Sequence, residues 1–515
     1  ETYICLRRLE NDVLRILQQN QIVLGDELIS PIQVSISQFY GIEINDFAVT
    51  VAKTALWIAE SQMMKETESI VLMHLDFLPL KTNANITEGN ALRIDWENIV
   101  PKNELSYIMG NPPFIGYSLQ TKEQKEDILS IYVDENGKPY KTAGKVDYVA
   151  GWYFKAAQLM QNTVIQTAFV STNSITQGEQ VAAVWKPLYE RFHIHIDFAH
   201  RTFIWDSEAS QKAHVHCVIV GFSTKLNTKE RVLYSSDRFQ IVDNINAYLV
   251  NAPDIFVESN KKPICDVPEM VKGSSPVDGG NFFLDQEEYN LFSEKEPQSL
   301  KYIKQFFGAR EYLHNIPRWC LWLIHISPSE LLKMPLVKER VDAVKNFRLS
   351  STKKATRKYA EFPLRFMELR QPETNYILIP RHSSENRRYI PFGFVNSDII
   401  CGDANNMIPN ATLYQFGVLT SNVHMAWMRT VCGRIKSDYR YSNDIVYNNF
   451  PWPTPSVQQK QKIEQTAKAI LDARLLYPDS SLADLYDEVA MPPELRKAHQ
   501  NNDRAVMQAY GFSIK

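Results

Sequence analysis

A doubly wound, Rossmann-like α/β domain, followed by an α+β domain and a helical tail, is the fold the sequence predicts, and three observations predict it. Short β-branched runs alternate with stretches whose apolar residues recur at helical spacing over residues 1–225. Residues 226–454 are richer in Pro, Asn, Ser and Arg and lose that rhythm. Residues 455–515 are charged and helical in pattern, with a break at Tyr477 and Pro478.

Taken in order, residues 32–44, IQVSISQFYGIEI, read as a strand with an acid, Glu43, at its end. NDFAVTVAKTALWIAESQMM (45–64) follows as a helix capped by Asn45 or Asp46, with Phe47, Val51, Ala55 and Ile58 at helical spacing. ALRID (91–95) reads as a short strand ending in Asp95, although Asp76 lies at another possible strand end. LSYIM (105–109) leads into the turn GNPPF. Helix YVAGWYFKAAQLMQ (148–161), strand QTAFVST (166–172) and helix EQVAAVWKPLYERF (179–192) come next. Strands IHIDFAH (194–200) and AHVHCVIVGF (213–222) complete the domain.

Composition excludes several classes. The 515 residues are 44% hydrophobic and 22% charged, ordinary for a folded chain, and no apolar run approaches the ~20 residues of a membrane span. A cytoplasmic protein is expected. Six scattered cysteines without a Cys-x-x-Cys pair support neither a disulfide framework nor a zinc ribbon. His193 and His195, like His214 and His216, share strand faces, but with no carboxylate pair nearby they read as polar strand faces, so no metal site is expected. The net charge of −3 hides a local excess: residues 345–370 carry eight Lys/Arg against Glu361 and Glu368.

Open α/β sheets bind ligands at the carboxyl ends of their strands, where Glu43, Asp95 and Asn111 are expected to converge. Acids in such places accept hydrogen bonds from a ribose or an adenine amino group, so the implied cofactor contains adenosine. No Gly-x-Gly and no P-loop accompany them. The Asn-Pro-Pro turn offers the side-chain oxygen of Asn111 and the carbonyl of Pro112 in a stiff, acceptor-rich geometry. Two acceptors suit one exocyclic amino group: drawing on both N–H bonds favours a pyramidal nitrogen whose lone pair is free to attack a methyl group. Phe114 offers a face for a flipped-out base. The sulfonium of S-adenosylmethionine is already an activated electrophile, so no acid/base pair is required.

These residues carry a resemblance. GNPPF is similar to motif IV of the class I amino-methyltransferases of DNA, in the form associated with adenine N6. Together with YGIEINDFAVTVAKTALWIAE, KVDYVAGWYFKA, FVSTNSITQGEQV, FAHRTFIWDSEASQKAHVHCVIVGF and CGRIKSDYRYSNDIVYNNFPWP, it makes most of the chain resemble the MmeI-like single-chain type II restriction-modification proteins. The resemblance implies S-adenosylmethionine as cofactor, Asn111, Pro112, Pro113 and Phe114 as catalytic residues, and Glu43, Ile44, Asp95 and Asn111 as cofactor contacts. Residues from about 226 onward are implied to read double-stranded DNA. Within IPRHSSENRRYIPFGF and CGRIKSDYRYSND the candidate readers are Arg381, Ser383, Arg387, Arg434, Lys436, Asp438 and Arg440, since Arg binds guanine bidentately and Asp accepts from cytosine.

In that family a glycine-rich loop holding the methionine end of the cofactor precedes a stretch like ETYICLRRLEND, which here is residue 1 onward. The expectation is therefore a chain that begins inside the methyltransferase domain, lacks a central strand, stands open on the Glu43 side and binds S-adenosylmethionine weakly. PDIFVESNK (253–261) has the wrong spacing for a nuclease, so no cleavage is expected. Two other readings stay open: an inert DNA-binding fragment, and a methyltransferase of RNA or of protein glutamine. Recognition sequence and oligomeric state are not legible.

Overall fold

The computed structural model describes residues 1–19, 32–71, 83–205, 215–224, 230–236 and 238–513. Two compact units make up the chain: Glu1–Ile175, Ala183–Ile204 and Cys217–Asp254 form the first, and Thr176–Ala182, Trp205–His216 and Ile255–Lys515 the second.

The elements up to residue 242 are α1 (Thr2–Gln19), β1 (Tyr40–Glu43), α2 (Asp46–Val71), β2 (Asn85–Glu88), β3 (Tyr107–Gly110), α3 (Lys122–Ile131), α4 (Ala150–Leu159), β4 (Gln166–Thr172), α5 (Gly178–Phe192), β5 (His195–Trp205), β6 (Val215–Ser223), β7 (Arg231–Ser235) and β8 (Arg238–Val242), all in the first unit except the start of α5 to Ala182, Trp205 of β5 and the first two residues of β6. β1 and β2 form a parallel pair in which Glu43 lies opposite Glu88, so both strands end in an acid on the same side. The remaining strands form one sheet in the order β3-β4-β6-β5-β7-β8, which continues past residue 225. In it β3 runs parallel to β4, and β6 antiparallel to it. Helix α4 is apolar almost all round and is accordingly a core helix: Tyr153 and Phe154 are fully buried, with Tyr153 stacked 5.4 Å from Phe222. Pro187 interrupts α5 and cannot donate to Ala183, whose carbonyl instead accepts the hydroxyl of buried Tyr132 at 3.0 Å.

Three expectations are corrected. Of residues 32–44 only Tyr40–Glu43 are strand, because Ser35 and Gln38 close a capping box around the 3-10 turn Ile36–Gln38. ALRID is not a strand. Asn90 Oδ1 accepts the Leu92 N–H at 2.9 Å and Asp95 caps a 3-10 turn by accepting from Glu97, so side chains at both ends of the run hold it in a turn; the strand is Asn85–Glu88. Helix α2 forms as expected, but it buries Val49, Met63, Thr67 and Ile70 and leaves Phe47, Val51 and Ile58 exposed. The buried side is fixed by α1, where fully buried Arg7 donates to Thr67, and Thr67 to Asn11, each at 2.7 Å.

In the second unit the apolar run Tyr376–Pro380 is buried at all five positions, as the centre of a four-stranded sheet flanked by Gly393–Val395 and Asn405–Pro409. A separate core gathers Phe282, Phe306, Val337 and Val344. The C-terminal helices Val457–Leu475 and Pro493–Ala509 are joined by buried Asn502, which accepts from Thr466 at 3.0 Å and donates to the Gly417 carbonyl at 2.7 Å. Among the described residues no helix is long and apolar enough to cross a membrane.

Candidate functional site

Glu43 ends β1 and stays partly exposed; its Oε1 accepts from the Asn45 N–H at 3.1 Å, while Asn45 caps α2 by accepting from Ala48 at 3.0 Å. The carboxylate therefore stands at a helix N-terminus, where the dipole favours its charge. Ile44 beside it is 68% exposed, an apolar surface offered to solvent. Asp95 is not at a strand end. That place on β2 belongs to Glu88, Gly89 and Asn90, with the Gly89 N–H donating to the Glu43 carbonyl at 2.8 Å. Asn90 escaped the sequence reading; its signal was a Gly-Asn pair directly after the short run Ile-Thr-Glu. Asp76 lies outside the described residues.

The loop after β2 is held by α4. Lys155 is half-buried beside Trp96, and its ammonium donates to the carbonyls of Ala91 at 2.9 Å and Leu92 at 3.0 Å and to that of Ile94. Burial holds its pKa down to about 8, against the opposing pull of Asp95.

β3 ends at Gly110, and residues 111–116 form an irregular loop outside any helix or strand. Asn111 and Pro113 are exposed, Pro112 is buried and Phe114 lies between. The Pro113 carbonyl accepts the Ile115 N–H at 3.1 Å. The next residues are tied to the segment before α4: Ile115 accepts from the Tyr148 N–H at 2.9 Å, and Gln120 donates to the Val146 carbonyl at 2.9 Å. The turn thus presents an exposed amide on a buried, stiff base.

The basic residues of the second unit divide by role. Arg348, within the basic stretch 345–370, is fully buried and donates to the carbonyls of Pro276, Val277, Phe362 and Arg365 at 2.7–2.9 Å. Lys345, Lys353, Lys354 and Lys358 are exposed. Strands His382–Ser383, Asp438–Arg440 and Gly433–Ile435 make a three-stranded sheet in that order. Ile435 pairs with Asp438 across the two-residue turn Lys436-Ser437, where Lys436 takes φ 57°.

Alternation then sorts the candidates. Asp438 and Arg440 are exposed on one face, with His382 in register with Arg440 and Ile435 opposite Asp438; Lys436 is exposed at the tip. Tyr439 is buried on the other face, and there Arg434 lies 4.4 Å over its ring, donates to the Ser437 carbonyl at 2.8 Å and sits 3.5 Å from Glu385. Ser383 is 4% exposed, and Arg381 donates to the Asp403 carbonyl at 3.0 Å. Arg387 is half-buried. His382 was not singled out in the sequence, where nothing distinguishes it from other strand histidines; burial and the neighbouring Arg381 and Arg440 lower its pKa.

Glycine admits one close approach at the hairpin's base. A Cβ on Gly178, which has φ 53°, would meet the Gly433 backbone at 3.2 Å, so glycine at position 178 permits the close approach. In the stretch 253–261, the carbonyls of Asn260 and Glu258 accept from Asn448 and Asn449. Among the described residues no three His, Cys, Asp or Glu side chains gather as for a metal ion; His214 lies outside those residues.

Comparison with known proteins identifies relatives of the whole chain. The family model for the MmeI DNA-methyltransferase domain matches residues 1–235, that for the MmeI target recognition domain 251–454, and that for the MmeI C-terminal domain 456–515. DNA methyltransferase A of Bacillus subtilis (strain 168) is 40% identical over 513 residues, an alignment covering 99% of this chain and 57% of that protein. The solved structure of the type IIL restriction-modification enzyme MmeI in complex with DNA is 45% identical with a TM-score of 0.90, covering 100% of this chain and 68% of that one. The chain thus spans little more than half the length of the curated relative it matches. With all three of its parts matched in order, the chain belongs to the MmeI family.

Proposed function

We propose that the chain supplies the methyl-transfer and target-reading parts of a DNA adenine-N6 methyltransferase of the restriction-modification type, with S-adenosylmethionine as methyl donor. The observation that carries the reading is the exposed Asn111 amide on a proline-stiffened turn at the end of β3, in a chain whose family couples a DNA-methyltransferase domain to a target recognition domain. The residues present fit an adenosine-bearing donor. Glu43 Oε1 is engaged by Asn45, leaving Oε2 for ribose hydroxyls among the described residues, and Ile44 offers an apolar face to a purine.

When bound, S-adenosylmethionine supplies an electrophilic methyl group on a sulfonium. Asn111 Oδ1 and the Pro112 carbonyl accept the two N–H bonds of a flipped adenine amino group and aim its nitrogen lone pair. Pro112 and Pro113 stiffen the backbone that carries the Asn111 side chain and orients the Pro112 carbonyl, which preorganises the acceptors for the transition state. Phe114 stacks on the base. Outward-facing Asp438, Arg440 and Lys436 read base edges or phosphates of duplex DNA. Incubation with labelled S-adenosylmethionine and, separately, duplex DNA, RNA and protein tests the proposal. Label on N6 of adenine in one DNA sequence context is expected; label only on RNA or protein, or on cytosine, overturns it.

A further inference from the structure

Two carboxylates buried behind the turn are unused by the chemistry above. Asp127 on α3 is 4% exposed and takes three donors: Arg93 Nε at 2.6 Å, Asn90 Nδ2 at 3.0 Å and the Tyr148 hydroxyl at 2.9 Å. Asp147 is 7% exposed and accepts the Tyr117 N–H at 3.0 Å and the Ser174 hydroxyl at 2.5 Å. Asn90 and Arg93 belong to the loop after β2, Tyr117 follows the Asn-Pro-Pro-Phe turn, and Ser174 follows β4. Asp147 and Tyr148 are neighbours in the chain, immediately before α4, and the Tyr148 N–H also holds Ile115. A continuous path of hydrogen bonds, joined through the Asp147–Tyr148 peptide link, therefore runs from Asn90 and Arg93 through Asp127 and Tyr148 to Ile115, and through Asp147 to Tyr117.

Burying a carboxylate is costly unless donors surround it, and an apolar side chain would fill the same space at less cost. What the carboxylates add is direction, because each fixes donors from separate loops at defined angles. Packing keeps the path short. A Cβ on Gly151 in α4 would meet both Ile128 of α3 and Leu92 of the β2 loop at 3.0 Å, so glycine there lets α4 close on both.

We propose that Asp127 and Asp147 are positioning residues that lock the loop after β2 to the turn after β3, holding the cofactor side and the base side of the site at a fixed separation. Neither touches substrate. The inference rests on the methyltransferase reading for its purpose, and on the hydrogen bonds alone for its mechanics. Reaction geometry is sensitive to such control, since displacement by ~1 Å can lower a rate about 10²-fold.

Hydrogen exchange resolved by mass spectrometry, on the complete chain, separates the inference from the reading it rests on. Asp147→Ala should speed exchange of the Tyr117 amide about 10-fold through loss of its acceptor. Asp127 takes its hydrogen bonds from Asn90, Arg93 and Tyr148 and not from residues 115–120, yet Asp127→Ala should speed exchange there. Asp147→Asn, which keeps one acceptor oxygen and can donate to Ser174, should restore most of the protection. If Asp127→Ala leaves residues 115–120 unchanged while the chain stays folded, the two loops are independent and the proposal is wrong, whether or not the protein methylates DNA. In methyl transfer, Asp147→Ala should lower kcat with little change in KM for DNA. Lack of transfer to DNA by the unsubstituted chain would overturn the methyltransferase reading and leave the exchange result standing.

Discussion

The turn after β3 and the arginine-rich sheet of the second unit treat polar groups in opposite ways. At the turn, backbone stiffness comes from two prolines inside the motif itself, and the Asn111 amide is left exposed. In the second unit several arginines are instead drawn into the structure: Arg348 holds four carbonyls, Arg381 holds one, and Arg434 is pinned between Tyr439, Ser437 and Glu385. A short motif that carries its own rigidity can be read from its letters. A cluster of arginines cannot, because the same residue type is bound into the scaffold on one strand face and left exposed on the other.

Arg348→Met is the severest test of that contrast. It leaves four carbonyls without their donor, and a buried polar group left unsatisfied typically costs about 1–3 kcal/mol. Calorimetry should show early melting of the second unit, and an unshifted transition would mean these carbonyls have other partners. Next comes Asn111→Ala, expected to cut methyl transfer about 10²-fold or more while leaving the melting temperature nearly unchanged. Equal losses in activity and stability there would erase the distinction between the two regions.

The two faces of the small sheet predict a finer split. Arg440→Ala and Asp438→Ala should relax sequence preference at single base pairs, each by about 1–3 kcal/mol, whereas Arg434→Ala should lower stability without changing preference. Sequencing methylated sites in libraries treated with each variant decides this; a changed preference with Arg434→Ala and none with Arg440→Ala would reverse the assignment. Phe114→Ala should weaken capture of the target base by ~1–3 kcal/mol, seen as reduced fluorescence of 2-aminopurine placed at that position.

The smallest effect concerns pH. The folded pKa of Lys155, about 8, lies below its unfolded value of about 10.4, so the folded chain releases this proton first as pH rises. Its contribution to stability therefore increases from pH 8 towards pH 10, and falls away as pH drops through 8. Lys155→Met should flatten that part of the pH–stability profile of the first unit. An identical slope in both proteins would remove Lys155 as its source.

Residues 166–172 form the strand their pattern predicts because burial, propensity and spacing agree there, and residues 179–192 form the predicted helix because spacing and burial outweigh the internal Pro187. The Asn-Pro-Pro-Phe turn was legible for the same reason: its stiffness and its acceptors are properties of adjacent residues. Where short-range side-chain bonds compete with a pattern, the pattern fails. Ser35 with Gln38, and Asn90 with Asp95, turned two expected strand segments into caps and turns. What only the tertiary structure decided is which polar groups face inward. Arg348, Asp127 and Asp147 look like ordinary surface residues in the sequence, and only folding brings distant partners within reach: Pro276 to Arg348, Arg93 to Asp127 and Tyr117 to Asp147. A buried charge is stable only when such partners surround it, and their convergence depends on chain topology, which local residue order does not encode.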